Sequence, residues 1–116
     1  MHPETLSKIL TDLNGTNAGI EASALVTMTG LPIYTTLSQD IDEDSVSALS
    51  AAVISLGKRS LEELLCGNLE QVVITGKEGH VLITQAGNKT VLAMQVRLDA
   101  PIDQILQDAR NIPYEF

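Results

Sequence analysis

Apolar residues recur at helical spacing in three stretches of the chain and alternate or cluster in five others, and this rhythm marks out its elements. Pro3 suits a first helical position, and Leu6, Ile9, Leu10 and Leu13 follow at helical intervals until Asn14-Gly15 breaks the pattern. After a polar connection from Gly15 to Gly19, Ile20 to Met28 reads as a strand, Thr29-Gly30 as a tight turn and Leu31 to Thr36 as a second strand. Pro32 cannot donate to a ladder, which places that strand at a sheet edge. Leu69 to Thr75, His80 to Gln85 and Thr90 to Leu98 form three more strands, joined by short turns at Gly76-Lys77-Glu78-Gly79 and Gly87-Asn88 as an antiparallel meander. In the last of these, Leu92, Met94, Val96 and Leu98 alternate with Ala93, Gln95 and Arg97, so one face is the more buried. Pro101, Ile102, Ile105, Leu106 and Ala109 carry a final helix to about Arg110.

The longest periodic stretch runs from Asp42 to Cys66, with Asp42, Glu43 and Asp44 on the free amides of its first turn and Gly67-Asn68 as its C-cap pair. Winding it at about 100° per residue gathers Val46, Leu49, Val53, Leu56, Leu61 and Leu64 into one arc, the expected core face. The opposite side carries Ala48, Ala51, Ala52 and Ser55, and only its second half carries Lys58, Arg59, Glu62 and Glu63. Small side chains admit another backbone closely, so this bare patch points to a second contact, such as the same helix of a second subunit. Alanines that merely favour helix and face water account for it equally well.

Five strands need cover on both faces, so the long helix is expected on one and the two terminal helices on the other, a three-layer α/β/α domain. No repeat, low-complexity segment or linker interrupts it, and the whole of residues 1–116 reads as a single domain able to fold without disulfides or metal.

Seven basic against 15 acidic residues give a net charge of −8, which repels phosphate backbones and anionic membranes and argues against nucleic-acid binding. Cys66 is the only cysteine, which excludes an internal disulfide and a cysteine zinc cage and fits a reducing compartment. No apolar run approaches the roughly 20 residues of a membrane span, and the start has no export pattern; the expected location is cytoplasmic, without membrane insertion.

Candidate chemistry is sparse. Asp40, Asp42 and Asp44 have the spacing that opens a calcium loop, but Ser45 and Ala51 stand where such a loop needs glycine and glutamate, so helix capping is the better reading. Gly76-Lys77 lacks the hydroxyl residue and the following helix of a phosphate loop. His2 and His80 have no second ligand at metal spacing and are expected to be partly exposed and idle. Cys66, near the negative end of the long helix, is expected as a half-buried packing residue and not a nucleophile. With no catalytic fingerprint, no cofactor motif and no metal cluster in the sequence, the expectation is a protein without enzymatic activity of its own. Arg59, Arg97 and Arg110 are read as solvated, with Arg59 alone near a suspected contact.

Ile20-Glu21-Ala22-Ser23-Ala24-Leu25-Val26, Gly30-Leu31-Pro32-Ile33, the acid-capped helix with Ala51-Ala52 and Leu56-Gly57, Leu69-Glu70-Gln71-Val72-Val73-Ile74, Gly79-His80-Val81-Leu82 and Val91-Leu92-Ala93 together resemble the Roadblock (dynein light chain) family over roughly residues 4 to 110. Thr29 departs from the aspartate many relatives carry there, which leaves the turn type open. The resemblance implies a profilin-like fold with sheet order 2-1-5-4-3 and a homodimer, or heterodimer with a paralogue, in which the third strands pair and the long helices lie side by side. Mapped onto this chain, Leu69, Gln71, Val73 and Thr75 would belong to the paired strand and Ala48, Ala51, Ala52 and Ser55 to the helix contact.

Relatives bind Ras-like small GTPases, and bacterial polarity regulators among them activate hydrolysis without donating an arginine finger. The expected function is therefore a dimeric, non-catalytic regulator of such a GTPase, with Arg59, Glu62 and Glu63 in the partner footprint. An interaction scaffold for a motor, trafficking or signalling complex is the second reading. A sensory pocket is a weak third, since Tyr34, Tyr114 and Phe116 are the only aromatic residues, and an enzyme with Cys66 and His80 in one cleft is a distant fourth.

Overall fold

A computed structural model describes residues 3–16 and 19–112. His2, Tyr114 and Phe116 and the side chain of Leu6 lie outside the description. The elements are α1 (Pro3–Thr16), β1 (Ile20–Thr27), β2 (Pro32–Thr35), α2 (Glu43–Glu63), β3 (Val72–Thr75), β4 (Gly79–Ala86), β5 (Thr90–Arg97) and α3 (Ile102–Arg110). All strand pairs are antiparallel and the sheet order is β2-β1-β5-β4-β3. Leu10 and Leu13 of α1 and Ile105, Leu106 and Ala109 of α3 bury one sheet face with Leu25, Leu82, Leu92 and Met94. Ile54 of α2 closes the other over Ala24, Val26, Ile83, Val91 and Ala93. Three layers follow from the pleat, because successive strand side chains feed opposite cores.

The helical face toward the sheet is rotated from the expected one: of that arc, Val46 and Val53 are half-buried against the sheet core, but the centre of the contact lies elsewhere. Ser47, Ser50, Ala51 and Ile54 are the buried residues of α2, whereas Leu49 and Leu56 are each 65% exposed and Leu64 is 74% exposed. Both arcs of the helix are free of charge through its first half, so periodicity could not choose between them. The sheet chooses: its surface below α2 holds Ala24 and Ala93, and a helix with small contact residues approaches such a surface closely. The serine hydroxyls return to the carbonyls of Glu43 and Val46 at 2.7 Å each, so burying them leaves no donor unpaired. The β1–β2 turn approaches as closely, for a Cβ built on Gly30, at φ +94°, would stand 3.1 Å from Ala48 Cα.

The ends of α2 are tighter than the sequence implies. Asp42 is the N-cap, its carboxylate accepting from the amides of Asp44 at 3.0 Å and Ser45 at 3.3 Å. Helix ends at Glu63, before Cys66, and the residue that reverses the chain is Leu65 at φ +57°, not the glycine that follows. The amide of Leu65 reaches the Glu62 carbonyl at 3.2 Å and that of Cys66 the Leu61 carbonyl at 2.9 Å, the paired bonds of a Schellman end. Cys66 is exposed, not half-buried.

β3 is also shorter than expected and begins at Val72. The residues before it are held by other contacts: the Glu70 carbonyl accepts the Thr84 hydroxyl at 3.1 Å, and the Gln71 amide oxygen accepts from Arg110 Nη1 at 2.8 Å. Leu69 and Gln71 are therefore outside the ladder.

Two stability outcomes follow. Gly30→Ala should lower the free energy of unfolding by about 2 kcal/mol or more, from a strained φ and the collision with the backbone of α2, read as a lower denaturant midpoint at unchanged slope. Ala51→Arg, at a position 7% exposed, should cost upwards of about 3 kcal/mol, whereas Ala52→Arg on the outer face should leave thermal unfolding nearly unmoved.

Candidate functional site

The two sheet edges are not alike. β2 carries Pro32, and its register with β1 shifts between Leu25 and Val26, both of which discourage a further strand. β3 has neither device: its sequence is Val-Val-Ile-Thr, Val73 and Ile74 are exposed, and among the described residues nothing pairs with its outer side. Its register with β4 places Val72 and Ile74 on the α2 side, opposite Ile83 and Val81, and Val73 on the other side opposite Leu82.

α2 runs across the strands from β2 toward this edge. Glu43 accepts a hydrogen bond from the Thr35 hydroxyl of β2 at 2.7 Å, and a Cβ on Gly57 would lie 3.3 Å from side-chain atoms of both Leu69 and Val72. From Glu43 to Gly57 the axis advances about 21 Å at ~1.5 Å per residue, close to the roughly 19 Å that five strands span at ~4.8 Å spacing. The remaining turns of α2 accordingly lie at and beyond the β3 edge, and there Leu64 and Leu65 are exposed.

The helix covers only part of its sheet face. Gln95 and Arg97 of β5 and Val81 of β4 are exposed on the α2 side, and a groove of about 450 Å³ opens there. Val46, Leu37 and Ile41 wall it on one side, Ile74 and Val81 form its far wall, and Glu21 and Glu78 stand at its rim. Leu49 and Leu56 are exposed on the outer side of α2, with Val53 half-buried against the core. Ala48 lies against the Gly30 turn, with Ser55 one helical repeat further on.

The site residues read from the sequence thus fall apart into groups. Ala48, Ala52 and Ser55 are exposed, Ala51 is already packed on the sheet, and Val73 and Thr75 lie in the free strand. Arg59, Glu62 and Glu63 are exposed near the end of α2, and Arg59 and Glu63 border a shallow depression with Leu56, Ser60 and Leu64. Sequence reasoning missed the leucines as surface residues; their one available signal was that they share a helix whose other arc is equally apolar.

Among the described residues, the chemistry-bearing groups do not converge. His80 is not idle: its Nε2–H donates to the Leu98 carbonyl at 3.1 Å and its Nδ1 shares a hydrogen bond with the Thr75 hydroxyl at 2.9 Å, tying the ends of β3, β4 and β5 together. Beside it the exposed Arg97–Asp99 pair closes at 2.8 Å. The hydrogen bond from Arg97 and then its charge hold the Asp99 carboxyl below the usual range, and the same contacts raise Arg97. The pair therefore favours the fold above the ordinary carboxylate pKa and loses that contribution as pH falls through the lowered value. Among the described residues no three His, Cys, Asp or Glu side chains gather in a metal-binding group, and no helix is long and apolar enough to cross a membrane.

Comparison with known proteins gives this arrangement a family. The model for the Roadblock/LC7 domain matches residues 6–96. The uncharacterised protein MJ0310 of Methanocaldococcus jannaschii is 32% identical over 89 residues, covering 77% of each chain. Among solved structures, the Roadblock/LC7 domain from Streptomyces avermitilis superposes with a TM-score of 0.81 at 21% identity, over 89% of this chain and 87% of that one. Myxococcus xanthus MglB gives a TM-score of 0.84 at 15% identity, over 95% and 89%. At these identities the superpositions establish the fold, and with the family match and the archaeal relative they settle the classification: this chain is a member of the Roadblock/LC7 family.

Proposed function

We propose that this chain acts as a dimeric, non-catalytic regulator of a Ras-like small GTPase. The observation that supports the reading is the coincidence of an undefended strand edge at β3 with leucines 65% exposed along the neighbouring helix, an apolar surface with no use to a lone subunit. A second copy, or a paralogue, pairing antiparallel at β3 extends the sheet and brings the two α2 helices onto one side. The contact is then made by Leu49, Val53 and Leu56 together with Val73 and Thr75, in place of Ala51, which the sheet has taken.

The outer side of the helix layer, with Ala52, Arg59, Glu62 and Glu63, is left for the GTPase. Regulation on this reading is positional: the dimer holds the partner in a hydrolysis-competent arrangement, and the groups that act on GTP belong to the partner.

Single-turnover GTP hydrolysis by Ras-like GTPases of the same organism, with and without this protein, tests the reading; an acceleration of about tenfold or more is expected. Binding without acceleration would assign the surface to a scaffold instead. Leu49→Asp and Leu56→Asp should each weaken self-association at least about tenfold in sedimentation equilibrium while leaving the thermal unfolding of the subunit close to unchanged.

A further inference from the structure

Leu65 is held in a left-handed turn whose backbone is hydrogen-bonded to the helix end but whose side chain is left outside the subunit. Its φ of +57° belongs to the left-handed region that glycine occupies without penalty, and its side chain is 92% exposed. The Schellman bonds at this helix end need the left-handed turn, not the leucine. With Leu64 beside it, the chain keeps an uncharged, projecting apolar tip just past the β3 edge.

An apolar receptor for such a tip exists on the same chain, at the other end of the same helix. The groove of about 450 Å³ bounded by Leu37, Ile41, Val46, Ile74 and Val81 lies over the half of the sheet that α2 leaves bare. A two-fold axis normal to the sheet at β3 reverses every direction in the plane of the sheet. It sets one β3 antiparallel to the other, and it carries the part of α2 that overhangs the edge across to the bare half of the partner's sheet. Tip and groove are then complementary within one self-matching interface.

We infer that the Leu64–Leu65 tip of each subunit seats in the groove of a second copy, so that the strained leucine is a determinant of self-association. The inference rests on the dimer proposed above and adds to it a knob and a socket remote from the β3 ladder. The strain at Leu65 is tolerated in the subunit because the contact is made between subunits.

Leu65→Gly separates this role from folding, because it relieves the backbone and removes the knob together. Sedimentation equilibrium of wild type and of Leu65→Gly, beside denaturant unfolding of each at a concentration where both are monomeric, gives the test. The expected result is a variant whose unfolding midpoint is equal or higher and whose dimer dissociation constant rises at least about tenfold. Val81→Asn, on the socket side, should weaken the dimer in the same direction, and its combination with Leu65→Gly should add little further. A dimeric wild type whose Leu65→Gly variant associates as tightly would overturn the knob and leave the dimer standing. A wild type that stays monomeric at millimolar concentration would overturn both.

Discussion

The close seat of α2 on the sheet is the contact from which the other features of this fold follow. Ser47, Ser50 and Ala51 face strands that offer Ala24 and Ala93, so the helix axis comes down near the backbone, and the Gly30 turn closes in against Ala48. Larger side chains at those positions would lift the helix and open a cavity beneath it. Because the small residues take the inner face, the leucines are turned outward. An apolar outer surface is thus the direct consequence of a tightly apposed inner one.

The same seat decides where the helix ends. A rod of 21 residues laid across five strands is longer than the sheet is wide, so it overshoots β3 while leaving part of that sheet face uncovered. Overshoot and bare sheet are two views of one mismatch. The opposite face has no such mismatch: α1 and α3 cover it, and a half-buried polar link among Asn14, Ser23 and Thr36 fastens α1 to the first two strands.

His80 is occupied in bracing three strand ends, and Cys66 is exposed at the end of α2, where its thiol lies 3.4 Å from the Leu64 carbonyl. These two side chains belong to separate regions and share no cleft. The apolar features of the described surface are the open edge of β3 and the exposed leucines of α2.

Element order, helix and strand types, the capping role of Asp42 and the three-layer architecture were legible in the sequence, because each depends on local periodicity or on a cap that lies within a few residues. The paired-strand order was legible only through family resemblance. Three things were decided by tertiary structure. Which arc of α2 meets the sheet depended on the size of residues in β1 and β5, far along the chain from the helix. β3 begins at Val72, after residues whose contacts, Glu70 with Thr84 and Gln71 with Arg110, reach far along the chain. The left-handed end at Leu65 arose where a glycine two residues later had marked the stop. Periodicity records that a face is apolar, but only the opposing surface determines whether that face is core or contact.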